Sequence, residues 1–83
     1  MKKRITSEVE SNLQVGDSTT DIVEFLEKQK WIYDFDRHLN RFQARLPDKN
    51  AGTTSIHKYQ IYLYVDDEGR FSRFDVVDVF NSV

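Results

Sequence analysis

The sequence predicts an α+β fold with two N-terminal helices packed on one face of a four-stranded antiparallel meander sheet. Three observations lead to this prediction. An amphipathic segment with a capping signal occupies 19–30, four segments of alternating apolar and polar residues fill much of the rest, and 83 residues suit one domain with a modest core. With 39% hydrophobic and 31% charged residues, we expect the chain to fold on its own.

The second helix has the clearest signals. Ser18 is a good N-cap, and Asp21 stands three residues later, where it can complete a capping box. The residues that follow place apolar side chains at helical spacing, so one face of a helix at 19–30 is apolar and should pack against another element. These apolar residues are Ile22, Val23, Phe25 and Leu26.

A shorter first helix is predicted at 6–13, after residues 1–4, which we expect to be mobile. Ser7 and Glu10 have the spacing of another capping box, and Gly16 can adopt the positive φ of a tight turn after the helix. The apolar residues of this segment recur every four positions: Ile5, Val9 and Leu13.

The four strands are predicted at 31–35, 41–46, 56–65 and 71–80. We expect a hairpin loop at 37–40, a surface loop at 48–55 and a tight turn at 66–69. The predicted core is Ile22, Phe25, Leu26, Trp31, Tyr33, Phe42, Leu46, Ile61, Leu63, Val65, Phe74 and Val76.

The last hairpin can pair in two registers. Regular pairing that places Phe71 opposite Val65 would turn Phe74 away from the core. A β-bulge near Ser72 and Arg73 would let both phenylalanines point inward, and we favour this arrangement.

The candidate binding site is the sheet face opposite the helices. Its residues are Tyr62, Tyr64, Arg41 and Arg45, with Asp34 and Asp75 nearby. Tyrosine and arginine are the residue types that anchor protein interfaces. The same residues can also form cross-strand Tyr–Arg and Asp–Arg pairs within the sheet that need no partner. Both interpretations stay open at this point.

The sequence has no signature of catalysis, so we expect no enzymatic activity, no catalytic residues and no cofactor. Cysteine is absent, and no Gly-x-Ser-x-Gly motif marks a nucleophile. His38 lies near Asp34 and Asp36, but this spacing is not that of a zinc site, and we expect no metal. The acidic residues of 66–68 fit a hairpin turn better than a calcium loop.

The formal net charge of −2 argues against a nucleic-acid partner that depends on an overall positive field. An RNA-binding sheet that stacks bases on Tyr62 and Tyr64 is a minor alternative. No apolar run is long enough to span a bilayer, and no apolar segment follows Lys2, Lys3 and Arg4 as it would in a signal peptide.

One stretch resembles a known pattern of an apolar-x-apolar-Gly-x-Ser turn, an amphipathic helix and an antiparallel sheet. It comprises Leu13, Val15, Gly16, Ser18, Asp21, Ile22, Phe25 and Leu26, with a closing hairpin through 66–71. The pattern is similar to that of the small lipoprotein A family of the bacterial outer-membrane assembly machinery and to the related fold of β-lactamase inhibitor proteins. Two features of that family are missing, namely the Gly-x-Pro exit after the helix and the lipid-bearing cysteine.

The resemblance implies a cell-envelope location, no catalysis and protein contacts through the sheet. We therefore expect a non-enzymatic protein-binding or assembly module. Its location would be periplasmic or outer-membrane-associated if the sequence is the mature part of an exported protein, and cytoplasmic otherwise. The alternative is a cytosolic structural or regulatory domain that forms a homodimer through its sheet.

Overall fold

The computed structural model describes residues 2–46 and 57–80, and it confirms the predicted α+β fold class. Four strands form one open sheet in the order β1-β2-β3-β4, and all neighbouring strands are antiparallel, which is the predicted meander. The elements are α1 (Lys2–Asn12), α2 (Thr19–Gln29), β1 (Ile32–Asp36), β2 (Arg41–Arg45), β3 (His57–Val65) and β4 (Phe71–Phe80).

Helix α2 begins as its sequence predicts. The Ser18 hydroxyl accepts a hydrogen bond from the backbone N–H of Asp21, and the Asp21 carboxylate accepts one from the N–H of Ser18, each at 3.2 Å. The predicted capping box is therefore confirmed. The helix ends at Gln29, one residue earlier than predicted, because Lys30 takes a left-handed conformation with φ 61° and forms the C-cap.

Helix α1 was predicted correctly as an element but not at its ends. It begins at Lys2 rather than near residue 6, and it ends at Asn12. The predicted capping box of Ser7 and Glu10 is wrong, because both residues lie inside the helix. Residues 2–4, expected to be mobile, belong to its first turn.

The segment between the helices is attached to the start of β4. The N–H of Gly16 donates to the carbonyl of Phe71 at 2.8 Å, and the N–H of Phe71 donates to the carbonyl of Asp17, also at 2.8 Å. The hydroxyl of Thr19 donates to the carbonyl of Gly69 at 2.7 Å. The beginning of α2 is therefore fixed to the β3–β4 hairpin.

The β3–β4 pair contains the predicted bulge. Val65 pairs with Phe71 and Tyr64 pairs with Arg73, so Ser72 is the extra residue. Phe71 is buried and Phe74 packs against the core, as the bulge was expected to allow.

Strand ends differ from the predictions by a residue. Strand β1 begins at Ile32, one residue later than predicted. Trp31 precedes the strand but is still buried. Strand β2 ends at Arg45, and Leu46 follows it while still packing against the core. The predicted loop at 48–55 lies outside the described residues.

The core lies between the helices and one face of the sheet. Every residue of the predicted core belongs to it, with Tyr33, Leu46 and Phe74 only partly buried. Residues left out of the predicted core complete it, namely Ile5, Val9, Leu13, Ala44 and Phe71. Because side chains alternate along a strand, the intervening residues point to the opposite face, where they are exposed or half-buried in the described chain.

Candidate functional site

The strand register arranges the open face into three cross-strand rows, each with one residue from β1, β2, β3 and β4 in that order. The first row is Asp36, Arg41, Tyr64 and Arg73; the second is Asp34, Gln43, Tyr62 and Asp75; the third is Ile32, Arg45, Gln60 and Val77.

Arg41 lies against both candidate tyrosines. Its Nη1 donates a hydrogen bond to the hydroxyl of Tyr64 at 3.1 Å. Its Cζ lies 4.1 Å from the ring centroid of Tyr62 and 5.7 Å from that of Tyr64. These distances are those of cation–π contacts, so the half-buried guanidinium group is held by the two rings.

Arg73, which the sequence analysis did not propose as a binding residue, extends this arrangement. Its Cζ lies 3.8 Å from the ring centroid of Tyr64. The predicted bulge was the signal that could have identified it, because skipping Ser72 places Arg73 opposite Tyr64 on the open face. We refer to Arg41, Tyr62, Tyr64 and Arg73 together as the Arg–Tyr cluster.

The fourth predicted site residue, Arg45, lies apart from this cluster. It is in the third row, directly opposite Gln60, and its side chain is exposed. The structure therefore brings together Tyr62, Tyr64 and Arg41 but not Arg45.

The carboxylates of the open face are engaged elsewhere or remain exposed. Asp36 accepts hydrogen bonds from the backbone N–H groups of His38 and Leu39 at 3.0 and 3.4 Å, and from the side chain of Gln43 at 3.1 Å. Asp34 accepts one from the N–H of Phe35 at 2.9 Å.

Of the cross-strand pairs predicted within the sheet, the Tyr–Arg pairs are present. Within 2–46 and 57–80, by contrast, no carboxylate forms an ion pair with Arg41, Arg45 or Arg73. The guanidinium groups of Arg41 and Arg73 therefore contact aromatic rings instead of acidic side chains.

Arg41 retains unused hydrogen-bonding capacity. A guanidinium group has about five N–H donors, and across the described residues the hydrogen bond to Tyr64 is the one that Arg41 makes. Its Nε is shielded from solvent and has no acceptor among the residues that the structure describes. An unpaired buried donor costs about 1–3 kcal/mol, so the contacts with the tyrosine rings must offset part of this cost.

Two of the acidic residues considered for metal binding, Asp36 and Asp66, accept hydrogen bonds from the backbone of turns. Asp66 accepts hydrogen bonds from the N–H groups of Glu68 and Arg70, each at 2.9 Å, which closes the β3–β4 turn. Among the residues that the structure describes, no three His, Cys, Asp or Glu side chains are grouped to hold a metal ion. No helix in the described ranges is long and apolar enough to cross a membrane.

A polar contact joins α2 to β1, which is an edge strand of the sheet. The hydroxyl of Tyr33 donates a hydrogen bond to the carboxylate of Glu27 at 3.0 Å. This hydrogen bond, with smaller contributions from desolvation and from the Glu27 charge, raises the pKa of Tyr33 above its usual value of 10.0.

Comparisons with known proteins identify no relative for this site or fold. No protein-family model matches the chain. No curated protein and no solved structure matches it either.

Proposed function

We propose that this chain is a non-enzymatic protein-binding or assembly module that contacts another protein through the open face of its sheet. The Arg–Tyr cluster is the observation that carries this proposal. Tyrosine and arginine contribute a disproportionate share of binding energy at protein interfaces. Here they lie side by side on a face that the helices do not cover.

The cluster is built on three directly paired strands, β2, β3 and β4. Arg41 and Tyr64 are direct partners across β2 and β3, and Arg73 pairs with Tyr64 across β3 and β4. Side chains already ordered by stacking lose little further freedom on binding. The arrangement therefore suits recognition of a partner that docks on the preformed face.

A bacterial cell-envelope location is the second part of the proposal. It is supported by the resemblance of the stretch from Leu13 to Leu26 to the small lipoprotein A family. Gly16 has φ 99° and a capped helix follows it, and this turn and helix are the elements on which the resemblance rests. A cytoplasmic location remains the alternative.

The second candidate function is a homodimer formed sheet to sheet, and the rows offer one observation in its favour. Consider two copies with their open faces together, related by a two-fold axis that lies between the faces, parallel to the strands and midway between β2 and β3. This symmetry places β1 of one copy over β4 of the other. Asp36 would then face Arg73, and Ile32 would face Val77, two partly exposed apolar residues. Asp34 would also face Asp75, and this like-charge contact favours a different protein as the partner.

The test is affinity capture with the native chain and with the double variant Tyr62→Thr/Tyr64→Thr. Threonine retains a high strand propensity, so the sheet should be preserved. The matched control is Val15→Thr/Leu39→Thr, which alters two exposed apolar side chains outside the cluster. We expect one or more discrete proteins to be captured by the native chain and the control but not by the tyrosine variant.

Sedimentation of the purified chain separates the two candidates. A dimer that the tyrosine substitutions convert to a monomer would favour self-association. Equal capture by all three chains, with a native monomer in solution, would contradict both.

A further inference from the structure

We propose that the Arg–Tyr cluster receives the carboxylate side chains of an acidic segment of the bound protein. This inference rests on the proposed function and specifies the chemistry of the partner.

The first step is the unused donor capacity of the two arginines. Over the part of the chain that the structure describes, Arg41 gives a single hydrogen bond, to Tyr64, and Arg73 contacts the ring of Tyr64 without an ion pair. Arginine presents its N–H groups in a planar fork that matches a carboxylate. The open face therefore offers two guanidinium groups that lack their usual acidic partner.

The second step concerns the carboxylates already on this face. Asp36 is the nearest in register to Arg41, but its oxygens accept bonds from the β1–β2 turn and from Gln43. Turning Asp36 toward Arg41 would break these bonds. Asp75 lies opposite Tyr62 on the second row, and its side chain is exposed.

These charges indicate where the partner's acidic groups would lie. The second row carries the two acidic residues Asp34 and Asp75 and no basic one, whereas the first row carries Arg41 and Arg73 against one acidic residue, Asp36. Like charges repel, so the incoming carboxylates should approach over the first row, at Tyr64. Arg45, in the third row, is not required for this contact.

The third step is the geometry around Tyr64. The guanidinium carbons of Arg41 and Arg73 lie 5.7 Å and 3.8 Å from its ring centroid, so both cations border the same ring. Two neighbouring carboxylates of one segment, one at each arginine, can accept from both. The ring contacts order the guanidinium groups before the partner arrives, which lowers the entropy cost of binding.

A carboxylate fits this face better than a polyanion. The chain carries a formal net charge of −2, and the rows themselves contain Asp34, Asp36 and Asp75. A nucleic acid or an anionic membrane would bring many charges past these aspartates, whereas a short acidic segment can place its charges at the cluster alone.

The experiment measures fluorescence anisotropy of a fluorescein-labelled hexaglutamate peptide at low ionic strength. The native chain is compared with Arg41→Gln/Arg73→Gln and with the control Arg37→Gln/Arg70→Gln, which removes the same charge from two exposed turn arginines. We expect saturable binding to the native chain and the control, and binding at least about tenfold weaker to the cluster variant. Circular dichroism establishes that each variant is folded.

Three outcomes would overturn the inference. The first is equal affinity of the cluster variant and the control, because binding would then reflect net charge alone. The second is equal binding of a hexalysine peptide, and the third is tighter binding of a DNA duplex of similar charge. Inorganic phosphate is then added at a concentration that matches the peptide's carboxylates. If the native chain still binds the peptide more tightly than the cluster variant does, the inference is supported.

The captured partner separates this inference from the proposed function. If Tyr62→Thr/Tyr64→Thr abolishes partner capture and Arg41→Gln/Arg73→Gln does not, the open face binds protein and the carboxylate inference fails. If both variants abolish capture and both controls retain it, the inference is supported. If neither abolishes capture, the proposed function itself fails.

Discussion

The hydroxyl of Tyr64 accepts a hydrogen bond from Nη1 of Arg41 at 3.1 Å, across the β2–β3 pair in which the two residues are direct register partners. Arg41 also lies over the rings of Tyr62 and Tyr64, and these contacts limit the positions open to its guanidinium group. The hydrogen bond is therefore a small contribution to stability and, in our account, a means of presenting Arg41 on the open face.

A double-mutant cycle measures this relationship. Tyr64→Phe retains the ring and removes the acceptor, and Arg41→Gln removes the cation. We expect a coupling free energy of about 0.5–1 kcal/mol from urea unfolding, the size of a typical cross-strand pair. Strictly additive effects of the two substitutions would contradict the contact.

The two glycines at positive φ provide a matched pair for testing the β3–β4 turn. At Gly69, with φ 77°, an added Cβ would lie 3.1 Å from the Thr19 hydroxyl, whereas at Gly16, with φ 99°, it would meet nothing within 4 Å. Gly16→Ala should therefore cost about 1 kcal/mol of backbone strain, and Gly69→Ala should cost more. Thermal unfolding of both variants checks the order, and a reversed order would show that the attachment of α2 to this turn is not a tight contact.

Deletion of Ser72 tests the bulge. Because Ser72 is the extra residue, its removal leaves Phe71 opposite Val65, Arg73 opposite Tyr64 and Phe74 opposite Leu63, so no side chain changes face. We expect this variant to keep cooperative unfolding in the near-ultraviolet circular dichroism signal. The comparison variant lacks Asp75, which lies in the regularly paired part of β4; this deletion turns Val76 to the open face and should abolish cooperative unfolding. Loss of cooperative unfolding on deletion of Ser72, with retention on deletion of Asp75, would contradict the assigned register.

The pair of Tyr33 and Glu27 predicts a pH dependence. Because the hydrogen bond to Glu27 raises the pKa of Tyr33 in the folded state, the contact stabilises the fold below pH 10.0, and this contribution disappears as the pH rises through the raised pKa. Glu27→Gln should lower the pKa of Tyr33. Absorbance titration of native, Glu27→Gln and Tyr33→Phe chains identifies the Tyr33 signal, and an unchanged titration in Glu27→Gln would count against this hydrogen bond.

The parts of the fold that local signals govern could be predicted from the sequence. The capping box of Ser18 and Asp21 determines where α2 begins, and the need to bury both Phe71 and Phe74 leads to the bulge. The start of α1 at Lys2 could not be predicted, because no capping residue marks it.

The candidate site was predictable only in part, because alternation along a strand assigns a side chain to a face but not to a neighbour. It placed Tyr62, Tyr64, Arg41 and Arg45 together on the open face. The cluster depends on which residues are direct cross-strand partners, and that register includes Arg73 and separates Arg45.

The central claim is that the open face, and not the helical side, contacts a partner protein. Site-specific photo-crosslinking in cells that naturally make this protein tests it directly. One chain carries p-benzoylphenylalanine in place of Val77 on the open face, and another carries it in place of the exposed Glu24 on α2. The account predicts a covalent adduct with a discrete protein from position 77 and none from position 24. An adduct from position 24 without one from position 77 would contradict it.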